Sequence, residues 1–225
     1  MHGVKAPSAI LFDWDNTLVD SWACIQQAMN VTLTAMGHPP WDLVETKRRV
    51  ALSLKDSFPV LFGTRWQEAR DIFYHSFGAI HIDLLVPLPG ALATLQRLAK
   101  AGIPMAVVSN KRGLLMRREA DHLGWTPYFR GLVGAGDAAS DKPSDLPVHL
   151  ALQSIGVTAD DDVWFIGDAA VDMQCAVNAG IRPVLVRHDS WRDEEFADHP
   201  PRHLFASWSA FARFLDEILV PSAPV

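Results

Sequence analysis

The sequence predicts an α/β chain in which a parallel sheet lies between two helical layers, with an all-helical segment inserted after the first strand. Three observations carry this. Five short apolar segments recur along the chain, at 9–12, 104–108, 131–133, 163–166 and 183–186, each bounded by turn or charge signals. Helical patterns alternate with the last four. The stretch from about Ser21 to Pro87 shows helical patterns and no strand. Strand–helix alternation implies right-handed crossovers and hence parallel pairing.

The elements follow in order. The five segments are too short for helices, and their unbroken Val/Ile-rich apolarity fits strands covered on both faces. Within the insert, helices are expected over 22–36, 43–54 and 64–77, punctuated by Pro39-Pro40 and Gly63. Pro87-Leu88-Pro89-Gly90 marks the return. Ala91, Leu92, Leu95, Leu98 and Ala99 have helical spacing and stop at Gly102. Helices over 114–123, 148–155 and 171–179 stop at Gly124, Gly156 and Gly180, residues suited to a left-handed cap. Phe211, Phe214, Leu215, Ile218 and Leu219 read as a last amphipathic helix capped by Ser207 or Ser209. Arg192-Asp193-Glu194-Glu195 reads as a solvated loop. The expected domains are 1–19 with 88–225 for the α/β core and 20–87 for the helical insert.

Composition narrows the function. A length of 225 residues allows one large domain or a domain with an insert. A net charge of −6 argues against a dedicated nucleic-acid binder. The two cysteines, Cys24 and Cys175, do not form a CxxC pair and fit free thiols in a reducing cytoplasm. The first eight residues hold no apolar stretch, so no signal peptide is expected. No apolar run approaches the ~20 residues that span a bilayer, so no membrane partner is expected.

Chemistry concentrates at the strand ends. The first strand runs into Asp13-Trp14-Asp15-Asn16-Thr17-Leu18. Alternation places Asp13 and Asp15 on one side and Trp14 on the other, toward the core. Neighbouring carboxylates suit a divalent cation or an acid/base pair, although the bare pair taken alone reads first as a solvated turn. The second strand ends in Ser109-Asn110-Lys111, and the fourth in Gly167-Asp168 with Asp172 following. Open α/β sheets bind ligands at the carboxyl ends of their strands. Asp13, Asp15, Ser109 and Asp168 converge there on this reading. Lys142 lies between the third and fourth strands, before Pro143.

As a set these residues resemble the haloacid dehalogenase superfamily, in its phosphoglycolate-phosphatase-like branch. Its motif hhhDxDxTL is matched by 10–18, its Ser-Asn-Lys strand end by 109–111, its Lys-Pro by Lys142-Pro143, and GDxxxD by 167–172. The resemblance covers nearly the whole chain. It implies a Rossmann-like three-layer core with a helical cap. It implies a Mg²⁺-dependent phosphatase acting on a small phosphorylated metabolite, with 2-phosphoglycolate the best guess. By the same resemblance Asp13 is the nucleophile and Asp15 the general acid and base. Asp13, Asp15 through its carbonyl, and Asp168 hold the metal. Asp172 orients a water or Lys142. Ser109, Asn110 and Lys142 bind the phosphoryl group. Ala169 stands where relatives often carry Ser or Thr.

Cap residues expected to meet the substrate are Arg49, Ser53 and Lys55. Lys47-Arg48-Arg49 fits a substrate-facing loop and a solvated helix face equally well. The expected enzyme is cytoplasmic and a monomer or homodimer. Three other readings share the motifs: a dehalogenase, disfavoured by Asp15; a phosphomutase of the β-phosphoglucomutase type, disfavoured by Leu54 after Ser53; and a non-enzymatic phospho-accepting module.

Overall fold

The computed structural model describes residues 5–50, 54–189 and 192–219. The chain divides into two compact units, Met1–Val19 with Pro87–Val225, and Asp20–Val86.

The first unit holds a six-stranded parallel sheet. In chain order its strands are β1 (Ala9–Phe12), β4 (Met105–Arg112), β5 (Gly131–Ala135), β6 (Val163–Gly167), β7 (Arg182–Val186) and β8 (His203–Phe205), and two further strands, β2 (Val19–Asp20) and β3 (Val86–Pro87), pair separately at the unit boundary. The spatial order is β5-β4-β1-β6-β7-β8. The chain therefore builds outward from β1 in one direction and then in the other, and the switch point lies at β1. Phe12 is level with Val107 of β4 and Ile166 of β6.

Both faces of the sheet are covered, which is why the strands are apolar without alternation. On one face Ala9, Leu11, Ala106, Val108, Val163 and Phe165 pack with Val148, Leu152 and Cys175 from α7 (Leu146–Ile155) and α8 (Ala170–Asn178). On the other, Phe12 meets Phe129 and Trp208, with ring centroids 6.3 and 6.0 Å away. Trp208 opens α9 (Trp208–Ile218), and Ser207 caps that helix by accepting from the Ala210 amide. The remaining helices of this unit are α5 (Ala91–Lys100) and α6 (Gly113–His122).

The second unit contains α1 (Trp22–Ala35), α2 (Leu43–Arg49), α3 (Leu54–Phe62) and α4 (Trp66–Ile80). Phe58, Phe62, Phe73 and Phe77 form its aromatic core, with successive centroids 5.1 to 5.8 Å apart. Asp42 caps α2 through the Glu45 amide.

The three-layer α/β architecture matches the expectation, and several details differ. A sixth strand, β8, extends the sheet beyond β7. The predicted helix over 43–54 is instead α2, which ends at Arg49, and α3 begins at Leu54 and contains Pro59. Val86–Pro87 forms a short strand where none was expected, and the unit boundary falls one residue before Leu88. Arg192, Glu194 and Glu195 are exposed as expected, and Asp193–Phe196 make a 3₁₀ turn. Both cysteines are buried, and neither is in a disulfide. Among the described residues no helix is long and apolar enough to cross a membrane.

Candidate active site

The site grows from the carboxyl end of β1. The Asp13 amide donates to the Ile166 carbonyl at 2.8 Å, continuing the ladder for one residue past the strand. The chain then turns back. Leu18 N–H reaches the Trp14 carbonyl at 2.9 Å, and Asn16 takes a left-handed φ of 60°. Asparagine tolerates that conformation better than most residues. The turn leaves Asp13 buried and Asp15 half-buried at the same sheet edge.

Lys142 is the organising cation. Its Nζ lies 2.7 Å from Asp13 Oδ1 and 2.6 Å from Asp172 Oδ1, and its side chain is 2% exposed. Asn110 fixes the loop that carries it: Asn110 Nδ2 donates to the Lys142 carbonyl at 3.0 Å, and the Lys142 amide donates to Asn110 Oδ1 at 2.9 Å. Asn110 was expected on the phosphoryl group. Its side chain has a further task, holding the lysine loop through these two bonds. Ser109 is buried at the same edge, and its Oγ accepts from the Lys111 amide at 3.3 Å.

Asp172 is fully buried in the first turn of α8. Its Oδ2 accepts from the Ala169 amide at 3.1 Å while Oδ1 holds Lys142. This bond caps the helix where Ala169 offers no hydroxyl. Gly167 makes the approach possible, because a Cβ there would lie 2.3–2.4 Å from the Asp172 carboxyl group and its Cβ. Asp168 receives a hydrogen bond from Thr17 Oγ1 at 3.0 Å. Thr17 is held in turn by Trp208, whose Nε1 donates to the Thr17 carbonyl at 2.9 Å.

The electrostatics show what the cluster lacks. Burial pushes Asp13 up to about 6, against the pull of Lys142. Asp168 is raised well above the usual carboxylate range by burial and by its neighbours Asp172 and Asp13. Burial disfavours the Lys142 ammonium, but Asp13 and Asp172 outweigh it and its pKa rises. Three carboxylates share one ammonium, so negative charge is left uncompensated in a poorly solvated place. Oxygen atoms of Asp13, Asp168 and Asp172 all lie within 4.8 Å of one another. This all-oxygen set fits a hard divalent cation, which would offset that charge.

Other expected residues fall elsewhere. Arg49 ends α2 in the helical unit, bonded to Glu45 and stacked over Trp41 at 4.9 Å from the ring centroid. Ser53 lies outside the described residues, as does the Lys55 side chain. Lys47 lies over Trp22, and Arg48 pairs with Glu45, so the basic run is engaged with its own unit. Sequence reasoning missed two charged residues beside the site. Lys111 bonds Asp15 Oδ1 at 2.8 Å, and Glu119 bonds Lys111 at 2.8 Å. Lys111 belonged to a quoted motif but received no role. Glu119 gave no signal beyond its helix.

Comparison with known proteins bears on the family and the fold. A family model described as haloacid dehalogenase-like hydrolase matches residues 10–186. A phosphoglycolate phosphatase of Xylella fastidiosa is 32% identical over 198 residues, which cover 86% of this chain and 85% of that protein. One of Rhodobacter capsulatus is 29% identical over 212 residues, covering 90% and 94%. Among solved structures, a HAD-superfamily hydrolase from Ehrlichia chaffeensis is 29% identical with a TM-score of 0.68, over 97% of this chain and 100% of that one. A haloacid dehalogenase-like family hydrolase from Streptococcus pneumoniae, at 23% identity, shares the fold with a TM-score of 0.83 over 93% and 98% of the two chains. The ordered strand-end motifs, the three-layer sheet and a family match over most of the chain lead to one assignment: the protein belongs to the haloacid dehalogenase-like hydrolase family.

Proposed function

We propose that this hydrolase is a Mg²⁺-dependent phosphatase that cleaves a small phosphate monoester through an aspartyl-phosphate. One observation carries the reading. The buried ammonium of Lys142 is held between Asp13 and Asp172 beside Asp168, at the carboxyl edge of the sheet next to its switch point.

In the first half-reaction an Asp13 carboxylate oxygen attacks phosphorus. The bond from phosphorus to the ester oxygen breaks, and its electron pair leaves with that oxygen. Asp15 gives the departing alkoxide its proton. In the second half, water attacks the phosphorus of the aspartyl-phosphate and passes a proton to Asp15. The Asp13 carboxylate departs and inorganic phosphate is released. Lys142 and the Ser109 hydroxyl hold phosphoryl oxygens and offset charge that develops as the bonds change. Asp172 keeps the ammonium aimed at Asp13, and Asn110 keeps the lysine loop in register. Asp13, Asp168 and the Asp15 carbonyl would hold Mg²⁺, which shields the anionic nucleophile from the anionic substrate and polarises a phosphoryl oxygen.

The relatives that carry the name phosphoglycolate phosphatase support 2-phosphoglycolate as the first substrate to try. In this reading the helical unit contributes Arg49, Ser53 and Lys55 to the non-phosphate end. Basic side chains there suit a substrate carboxylate.

The test is phosphate release from a panel of phosphorylated metabolites, with Mg²⁺ and with EDTA, by the parent chain and by Asp13→Asn. Release that needs Mg²⁺ and is lost in Asp13→Asn, with the circular dichroism spectrum unchanged, is the expected result. Steady turnover by Asp13→Asn would overturn the mechanism.

A further inference from the structure

A second buried ion cluster joins Asp15 to Lys111 and Glu119, and the reaction as proposed assigns the last two no task. Lys111, near the end of β4, has a side chain only 4% exposed. Its Nζ is 2.8 Å from Asp15 Oδ1 and 2.8 Å from Glu119 Oε1. Glu119, in the second turn of α6, is buried as well. Its other oxygen accepts from Trp14 Nε1 at 2.7 Å. Trp14 and Asp15 are consecutive, so the contacts close a ring: Trp14 to Glu119, Glu119 to Lys111, Lys111 to Asp15.

Stability alone does not explain a buried lysine and a buried glutamate. Apolar residues of similar volume fill such a space as well or better. The ring supplies direction instead. A lysine ammonium is a point charge on a flexible four-carbon stem and does not fix a carboxylate by itself. Glu119 pins that ammonium, and Trp14, wedged in the core, pins Glu119. The backbone beneath is equally constrained. A Cβ on Gly134 of β5 would lie 2.4 Å from Gly113 Cα and 2.7 Å from the Lys111 carbonyl. Only glycine lets β5 come so close to the junction between β4 and α6, which carries both charged residues. Asp15 meanwhile keeps 23% of its side chain exposed. It is tethered on its inner side and still open to an arriving substrate.

We infer that Glu119 is a positioning residue for the acid step: through Lys111 it sets the place of the Asp15 carboxyl group. The inference rests on the acid–base role proposed above for Asp15. It separates from simple structural support by its dependence on the leaving group. An alkoxide needs the proton that Asp15 delivers, whereas p-nitrophenolate leaves without one.

The experiment is single-turnover cleavage of 2-phosphoglycolate and of p-nitrophenyl phosphate, with enzyme in excess. Glu119→Gln is expected to slow the first substrate about tenfold to a hundredfold, as misplacement of a reacting group does, and to leave the second within about threefold of the parent. Lys111→Met should show the same split. The double variant Lys111→Met/Glu119→Gln should be no slower than Lys111→Met alone, because Glu119 acts through Lys111. That variant also removes both buried charges together, so it keeps the test open if Glu119→Gln does not fold.

Equal losses on both substrates would reduce Glu119 to support of the local fold and overturn the inference. Unchanged cleavage of 2-phosphoglycolate would overturn it too. Asp15→Asn is the reference. If it shows the split and the Glu119 variants do not, the positioning role alone fails. If it shows no split, the acid role of Asp15 fails and takes the inference with it.

Discussion

Asp172 divides its two oxygens between a helix cap and the Lys142 ammonium, and Gly167 makes room for both. Adding one methyl group there has a definite consequence. Gly167→Ala is expected to displace the Asp172 carboxyl, loosen Lys142 and cost about 1–3 kcal/mol through overpacking. Urea denaturation reads the stability loss. Phosphate release should fall further than stability does, because Lys142 loses its aim. Asn110→Ala removes both bonds to the Lys142 backbone and is expected to cost about 1–3 kcal/mol, with turnover again falling the more. The sequence marked Asp13, Asp15, Ser109, Lys142, Asp168 and Asp172 as candidates because each belongs to a short motif at a strand end, in a loop or, for Asp172, in the first turn of a helix. It hid the pairing of Glu119, since glutamate on a helix is nearly always solvated and this one finds its partner Trp14 105 residues away. It also hid the bond from Asn110 to the Lys142 carbonyl, which joins two segments 32 residues apart.

Among the elements, β8 and α9 close the far side of the sheet. His203 of β8 is surrounded by rings, with Phe214 at 5.1 Å and Trp164 at 5.6 Å. Burial lowers its pKa, and the Arg182 charge lowers it further. The fold therefore prefers the neutral imidazole. Stability is expected to be full above about pH 6.5, to decline as the pH falls through the lowered folded value, and to level off below it. His203→Phe should flatten that part of the pH profile in thermal melts, and a profile unchanged by the substitution would count against the assignment. Ser207→Ala should cost about 1 kcal/mol, the usual value of an N-cap hydroxyl, read as a lower denaturation midpoint. These elements differ in how plainly the sequence announces them. The last helix was visible from its apolar stripe and its serine cap. Strand β8 was not, because three residues after Pro200-Pro201 carry no usable periodicity. Helix α3 was obscured by Pro59, which ordinarily argues against a helix interior.

The whole chain is a core with a long interruption. Within the core unit the Leu88 amide donates to the Leu18 carbonyl at 2.9 Å, so the two points where the helical unit attaches are bonded neighbours. A chain in which a short Gly-Ser linker joins Val19 to Pro87 is expected to keep the three-layer fold and to bind Mg²⁺ by calorimetry, while losing discrimination among phosphorylated metabolites. Failure of that chain to fold would show that the helical unit is needed for the core itself. The division into two units was foreshadowed by a single feature, the break in strand–helix alternation between Ser21 and Pro87.

The bond between Leu18 and Leu88 also bears on how such a molecule diversifies. Closing a loop whose ends already touch grows more costly only with the logarithm of its length, about 0.6 kcal/mol for each doubling. The core is therefore almost indifferent to the size of what is spliced between these two residues. Segments of very different length and composition can be exchanged there while the carboxylates of the core keep their strand-end positions, and on the function proposed above new substrate preferences would then follow from replacing one continuous stretch of the gene.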